Sequence, residues 1–321
     1  MLQSMRFNNQ VYNQYSRIYP FYEGIPLRMN KLVLAVIPHA DDAAAFCGGT
    51  LAKFVVEGWR VIAARITNDD KDSMDLPSRE ETEATNTREF QEALSILGSK
   101  GVDLGFVTDT LGDVSLVALR ERIVYLFRKY RPYAVFTFDP YAPFEPNLDH
   151  VRVAQAVEEA FWVSNFHLHH PEHLAEGFEP HAVCERWYFS RLPFHPNHVV
   201  NVTGTLDQKI AALCAHDKMM RNTLHQMQLQ LKTWGRRLPA IDQAITGDLK
   251  PLVAEMVRQG ARAVAREAGL PEGCAAEVFR VNRFGAYEAL FQSQSEPLPG
   301  ESQEMFTRPC FDPSVTPHLI N

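Results

Sequence analysis

Apolar strand patterns alternate with amphipathic helix patterns along the first half of the chain, and this alternation constrains the fold more than any other feature. Strongly apolar segments at 31–38, 60–66 and 133–138 are typical of strands buried on both faces. Helical patterns with one apolar face follow at 78–98 and 148–163. Strands separated by helices pair in parallel, with helices on both faces of the sheet. The sequence therefore predicts an α/β fold with a doubly wound, mostly parallel sheet.

The composition narrows the class of protein. The chain has 321 residues, 45% of them hydrophobic, and its net charge is −7 because 32 Lys and Arg stand against 39 Asp and Glu. This balance gives no global attraction to nucleic acid or to an anionic membrane, and no apolar run approaches the roughly 20 residues of a membrane helix. The N-terminus lacks a signal-peptide pattern, and the five cysteines contain no CxxC motif. We expect a cytoplasmic protein that acts on a small molecule, with no nucleic-acid or membrane partner, as a monomer or a homo-oligomer.

Titratable side chains cluster where two of the predicted strands end. His39, Asp41 and Asp42 directly follow the first strand, and His150 comes shortly after the strand that ends at residue 138. A doubly wound sheet binds its ligands beyond the carboxyl ends of its strands. If these two strands are neighbours, the loops that follow them face each other and their side chains meet.

Two imidazoles and one carboxylate from these loops form a candidate metal site. Catalytic zinc typically takes three nitrogen and oxygen ligands and keeps a position for water, which matches His39, Asp42 and His150. Asp41, two residues from His39, is then available to handle the protons of that water. Either segment alone is explained by helix capping or by a solvated loop. The joint placement of the two segments is what predicts the metal site.

Four segments, in order along the chain, resemble a known family. The segment VLAVIPHADDAAAFCGGTLAKFVVEGWRV resembles the opening signature of the LmbE-like, or PIG-L, family of zinc-dependent N-deacetylases. TREF around Arg88 is similar to the family's Arg-containing helix, and RPYAVFTFDP followed by Asp149-His150 is similar to its second metal motif. NVTGTLDQKIAALCAH, ending at His216, is similar to a later segment with its own His. The resemblance implies a Rossmann-like sheet, one zinc ion per chain, and hydrolysis of an N-acyl bond that releases acetate and a free amine.

The resemblance also implies roles for individual residues. The implied zinc ligands are His39, Asp42 and His150. Asp41 is the implied general base, Arg88 an implied substrate contact, and Asp149 an implied supporting residue of the catalytic centre.

Asn147 departs from the family pattern, because the second motif usually has a His there that stabilises the oxyanion or protonates the leaving amine. Asn donates a hydrogen bond but delivers no proton at neutral pH, so we expect Asn147 to act on the oxyanion only. The amine is then protonated by Asp41, by His216 or by a His of the 167–173 cluster, unless the substrate itself differs.

Some predicted contacts and two other function classes stay open. Asp69 and Asp70 lie in the polar loop after the second strand, and one of them is expected to touch a polar substrate, as is His216. One alternative is a metal-free or catalytically altered binding or regulatory member of the same fold. The other is a nucleotide-binding module, which the lack of a GxGxxG motif disfavours.

The patterns and the resemblance together divide the chain into three parts. Residues 1–30 are predicted to form an N-terminal arm, and residues 31–216 an LmbE-like zinc hydrolase domain. Residues 217–321 are predicted to form a mainly helical extension that packs on this domain. No motif assigns the extension a role beyond shaping the pocket or building an oligomer.

Overall fold

The carboxyl ends of parallel strands carry the predicted site in the computed structural model, which describes residues 30–298. The strands are β1 (Leu32–Ile37), β2 (Arg60–Thr67), β3 (Lys100–Phe106), β4 (Ala134–Phe138), β5 (Glu185–Phe189), β6 (His198–Asn201) and β7 (Ala276–Asn282). They form one seven-stranded sheet in the order β3-β2-β1-β4-β5-β7-β6. Strands β1 to β5 pair in parallel, whereas β7 runs antiparallel to both β5 and β6. The predicted α/β class with a mostly parallel sheet is confirmed.

Helices connect the strands and continue after them. They are α1 (Gly48–Val56), α2 (Arg79–Leu97), α3 (Leu116–Tyr130), α4 (Leu148–Val163), α5 (Pro171–Ala175), α6 (Leu206–Ala215), α7 (Asp217–Thr233), α8 (Pro239–Thr246), α9 (Lys250–Glu267) and α10 (Glu288–Gln294). Within the described residues, none of these helices combines the length and the apolarity needed to cross a bilayer.

Strand β1 shows why the sheet needs cover on both faces. Its six residues are all buried, and alternate side chains point to opposite faces of the sheet. Val33, Ala35 and Ile37 pack in one apolar layer with α1, α2 and α6. Leu32, Leu34 and Val36 pack in the other apolar layer with α3 and α4. β1 is therefore an interior strand of the sheet, between β2 and β4. The loop after it emerges at the edge formed by the carboxyl ends of the parallel strands.

Two local signals fix the ends of α2. The Ser78 side chain accepts a hydrogen bond from the Glu81 backbone N–H at 3.2 Å, which caps the first turn. Gly98 follows the last turn with a φ of +70°, a left-handed conformation that suits glycine. A Cβ at Gly98 would lie 2.9 Å from the Val55 side chain. The close approach of α2 to α1 therefore also requires glycine at this position.

The C-terminal part differs in one respect from the helical extension that the sequence predicts. Helices α7 to α9 are present, but β7 then enters the main sheet between β5 and β6. The side chain of Glu277 on β7 accepts the backbone N–H groups of Gly49 and Thr50, at 3.1 and 2.8 Å. The C-terminal segment is thus bound to the start of α1. The predicted N-terminal arm, apart from Asn30, lies outside the described residues.

Candidate active site

Strands β1 and β4 are direct neighbours, so the loops that follow them lie side by side. Their parallel register pairs Val33 with Ala134 and Ala35 with Phe136. Beyond the strand ends, His39 Nδ1 lies 3.0 Å from His150 Nε2. The two imidazoles, which are 111 positions apart in the chain, therefore meet as the neighbour arrangement requires.

The loop after β1 is held in shape by its own hydrogen bonds. The His39 backbone N–H donates to Asp42 Oδ2 at 2.8 Å, and the Ala40 N–H donates to Asp69 Oδ2 at 3.0 Å. The Asp41 carbonyl accepts the Ala45 N–H at 2.8 Å, at the start of a π-helical turn over Ala43–Cys47. Single π turns of this kind frequently occur at functional sites. This loop geometry brings the His39 and Asp42 side chains to the same cavity.

The donor set fits a dication. Asp42 Oδ2 lies 3.6 Å from His39 Nδ1, and Asp42 Oδ1 lies 3.6 Å from His150 Nε2. All three residues are buried, and their ligand atoms lie within 4.8 Å of one another. In a tetrahedral zinc site with bonds of about 2.0–2.1 Å, two ligand atoms are about 3.3 Å apart. The observed separations lie close to that value, so the residues present suit the metal that the sequence predicts.

Each imidazole also has a carboxylate at its second nitrogen. His39 Nε2 lies 3.5 Å from Asp149 Oδ2, and His150 Nδ1 lies 3.1 Å from Glu145 Oε1. Asp149 is fixed in turn by the backbone N–H groups of Asp109 and Leu111, at 2.7 and 3.2 Å. Metal-binding histidines commonly have such carboxylate partners, which orient the ring. Asp149 thus lies beside His39, where its implied supporting role stays a prediction, whereas Glu145 was not predicted, although it stands in the loop after β4.

The charges of the site act strongly on one another. Burial alone would lower the pKa of His39, but its contacts with Asp149 and Asp42 outweigh burial and raise that pKa. Burial and the neighbouring Asp42 carboxylate raise the pKa of Asp41 well above its ordinary value. The Asp42 carboxylate itself is buried, yet the charges and hydrogen bonds of His150 and His39 lower its pKa. The site therefore concentrates negative charge that a cation would offset.

A cavity of about 390 Å³ opens at this site. Its polar lining from the sheet edge consists of His39, Asp41, Asp42, Asp72, Asn147, His150 and Arg191. Its apolar lining consists of Ala45, Phe46, Leu213, Met219, Met220, Leu224, Met227, Val253, Met256 and Val257. Polar side chains of α7 complete it, namely Asn222, Thr223 and Gln226. The volume lies in the range of small-molecule sites.

Asn147 and Asp72 present polar atoms at this cavity. Asn147 caps α4, where its Oδ1 accepts the Asp149 backbone N–H at 2.9 Å, so its side-chain amide group remains available as a donor. Asp72 was not singled out from its loop in the sequence, and its Oδ2 has no hydrogen-bond partner among residues 30–298. Nothing in the spacing of the Asp69–Asp75 loop distinguishes the carboxylate that reaches the cavity.

Three predicted substrate contacts do not line the cavity. Arg88 is exposed on α2. Asp69 is fully buried, where it accepts hydrogen bonds from Ala40, Arg65 and Thr67 and has a pKa raised to about 7 by burial. His216 is buried beneath the site, its pKa is lowered to about 3 by burial, and its ring nitrogens have no hydrogen-bond partner in the described chain. Substrate contact by these residues stays a prediction.

The histidine cluster at 167–173 also lies away from the cavity. His173 Nε2 is 2.9 Å from Glu121 Oε1, and its ring packs against Tyr125. These contacts join α5 to α3 and indicate a structural role for His173.

Comparison with known proteins gives a family model and two relatives that are each named for a deacetylation reaction. Residues 34–161 match the family model described as PIG-L, GlcNAc-PI de-N-acetylase. Diacetylchitobiose deacetylase of Thermococcus kodakarensis is 29% identical over 198 residues, which cover 60% of this chain and 71% of that protein. A probable N-acetyl-alpha-D-glucosaminyl L-malate deacetylase 2 of Bacillus cereus is 28% identical over 215 residues, 64% of this chain and 90% of that protein.

A solved structure supports the fold independently. The N,N'-diacetylchitobiose deacetylase of Pyrococcus horikoshii aligns with a TM-score of 0.64 at 22% identity, over 89% of this chain and 96% of that one. The named relatives are deacetylases, which are hydrolases of carbon–nitrogen bonds other than peptide bonds, as the sequence predicts for this chain. The predicted resemblance to the PIG-L/LmbE-like family is thereby confirmed, since residues 34–161 match the family model and the named relatives are deacetylases.

Proposed function

We propose that the protein is a zinc-dependent hydrolase of an N-acyl bond, an N-deacetylase that releases acetate and a free amine. The observation that carries this proposal is the convergence of His39, Asp42 and His150, whose ligand atoms are 3.0 to 3.6 Å apart in neighbouring pairs. The deacetylase names of the relatives support the reaction class. His39, Asp42 and His150 would hold one zinc ion per chain.

The proposed mechanism assigns separate roles to the zinc ion, to Asp41 and to Asn147. Bound zinc supplies Lewis acidity, which polarises the amide carbonyl and makes a water molecule acidic enough to attack near neutral pH. Asp41 faces the same cavity as the ligands and takes the proton of the attacking water. The free amide N–H of Asn147 donates to the oxygen that becomes negatively charged.

The last step expels the amine, which needs a proton. Asp41 returns the proton that it took from the water, because Asn147 cannot supply one at neutral pH. His216 is a weaker candidate, since burial keeps its imidazole neutral and it does not line the cavity. Arg88 is exposed and Asp69 is fully buried, so Asp72 and Arg191 are better placed to touch a polar substrate.

An amine-release assay on the zinc-loaded protein tests the proposal. It spans N-acetyl sugars, N-acyl amino acids and aryl amides, and at least one class should release amine. Asp41→Asn should keep its metal and lose about 10²- to 10⁴-fold in kcat, the usual contribution of a general base. Asp113→Asn, an exposed carboxylate away from the cavity, is the matched control and should keep wild-type rates.

Elemental analysis separates the remaining alternative. His39→Ala should retain far less zinc than the wild type, because one of three ligands is missing. A wild-type protein that binds no divalent metal and releases no amine would instead indicate a binding or regulatory member of the same fold. Full zinc content in His39→Ala would refute the ligand set. Asn147→His should raise the rate on simple N-acetyl sugars if Asn147 lies at the developing oxyanion.

A further inference from the structure

The cavity at the candidate active site has a wall that hydrolysis of a small acetyl group does not require. Four methionines line it, namely Met219, Met220, Met227 and Met256, beside aliphatic side chains of α7 and α9. We call this surface the methionine wall. The whole chain has nine methionines, so nearly half of them line a single cavity. Methionine is flexible and polarisable, and it recurs where proteins bind apolar groups of variable shape.

The methionine wall extends from the protein interior to its surface. Met219 and Met220 are 5% and 8% exposed, whereas Met256 is 41% exposed. An exposed apolar side chain that is continuous with a buried apolar cavity marks a binding surface more often than a scattered one does. An apolar group bound beside the metal ligands can therefore extend along the wall toward solvent.

The size of the cavity limits what it can hold. Its volume of about 390 Å³ lies toward the small end of the range for small-molecule sites, which suits a compact ligand. The carboxylates and imidazoles at one side suit the amide, and Asn222 and Gln226 of α7 add hydrogen-bonding groups. A ligand that matches both linings is amphiphilic, with a polar amide next to an apolar group of several carbons.

We propose that the substrate is an amide that carries an alkyl or aryl group of about four to eight carbons, and that this group binds the methionine wall. The proposal rests on the proposed function and names its substrate class. The apolar group belongs to the amine half of the amide, because the acyl half is the acetyl group that the proposed function releases. The experiment uses one series of probes for each half to test this assignment.

The first test is binding to the zinc-loaded full-length protein, measured by calorimetry. Straight-chain carboxylates from acetate to octanoate probe the acyl half, and alkylamines from ethylamine to octylamine probe the amine half. Affinity should rise at least tenfold along the alkylamine series, below the ceiling of about fourfold per methylene that ~0.8 kcal/mol corresponds to. A gain along the carboxylate series instead would refute the assignment of the apolar group to the amine half.

The second test is a matched set of variants on the same series. Met227→Gln and Met256→Gln should reduce the gain to below about threefold, because each places an amide group on the methionine wall. Leu229→Gln is the control, since Leu229 is 48% exposed on α7 and does not line the cavity. The control should keep the full gain of the wild type.

The kinetic counterpart is a split between KM and kcat. Along a series of cleaved amides, a longer apolar group should lower KM and leave kcat nearly constant, because the wall binds substrate and transition state alike.

The outcomes separate the two proposals. If the alkylamine series gains no affinity with length, the methionine wall does not bind substrate, whether another segment or a second copy of the chain covers it, and this proposal is overturned. If octylamine binds tightly but no amide is cleaved, the apolar site stands and the proposed function fails. If acetyl amides are cleaved with equal KM at every chain length, the proposed function stands and the apolar site fails.

Discussion

Glu277 on β7 offers the sharpest test of how this C-terminal strand stabilises α1, the helix that follows the loop of His39 and Asp42. Its side chain is 5% exposed and accepts the N–H groups of Gly49 and Thr50, the Thr50 hydroxyl at 2.6 Å and the Lys209 ammonium at 2.5 Å. Glu277→Gln keeps the size and removes the charge. It leaves Lys209, which is 7% exposed, without a counterion.

Substitutions of Glu277 and of Lys209 should lower the free energy of unfolding by unequal amounts. Removal of one partner from a buried ion pair costs about 3–5 kcal/mol, and we expect Glu277→Gln to reach this range. Lys209→Met should cost only about 1–3 kcal/mol, because the Glu277 carboxylate keeps three donors at the favourable N-terminal end of α1. The double variant should be no less stable than Glu277→Gln alone, since it leaves no unpaired ammonium.

Thermal unfolding followed by calorimetry measures these differences. An unfolding entropy of about 2.1 cal/mol/K per residue gives ~0.7 kcal/mol/K for a chain of this length, so Glu277→Gln should lower Tm by about 4–7 °C. Glu267→Gln, at an exposed position of α9, is the control and should change Tm by less than about 1 °C. A larger loss in Lys209→Met than in Glu277→Gln would refute the reasoning.

Three further predictions concern single positions. Glu145→Gln should weaken zinc binding about 10- to 100-fold in a chelator competition, because His150 loses the carboxylate 3.1 Å from its Nδ1, and unchanged affinity would contradict this. Burial raises the pKa of Glu89 to about 7, so the folded state holds its proton more tightly and wild-type stability falls as pH rises from about 4.5 to 7. The difference in Tm between Glu89→Gln and the wild type should therefore increase from about pH 4.5 to 7 in favour of the variant and stay level above about pH 7. A Tm difference that is constant with pH would argue against the raised pKa of Glu89. Gly98→Ala should cost more than about 1 kcal/mol in denaturant unfolding, because φ is +70° there and the new Cβ meets Val55, whereas Gly260→Ala has open space and should be harmless.

Local patterns predicted the parallel part of the fold well. Strand β1 is visible in the sequence as a continuous apolar run, because burial on both faces requires apolar residues at successive positions. Helix α4 is visible as an amphipathic pattern, because burial on one face requires apolar residues only at the helical period. Because ligands bind beyond the strand ends, the same patterns also predict that His39 and His150 lie at one edge of the sheet. The structure brings these side chains within 3.0 Å of each other.

Features that depend on tertiary contacts were not visible in the same way. Strand β7 follows a long helix and is far in the chain from the other strands of the parallel part, so no local signal indicates that it enters the sheet between β5 and β6. The sequence likewise could not show that Asp72 rather than Asp69 reaches the cavity, because that depends on the hydrogen bonds with which Ala40 and Arg65 hold Asp69 inward. The sequence also left open whether the C-terminal helices shape the pocket or build an oligomer, since a helix face with apolar residues looks the same whether it meets a core or a ligand.

The origin of the two linings has a consequence for how such enzymes diverge. All three candidate zinc ligands lie at or before residue 150, whereas most of the apolar lining comes from residues 213–257. On the two proposals above, reaction and selectivity are encoded in separate stretches of the gene. Substitutions or exchanges confined to the later stretch can then redirect such an enzyme to a new compound while the residues of the hydrolytic site are inherited unchanged.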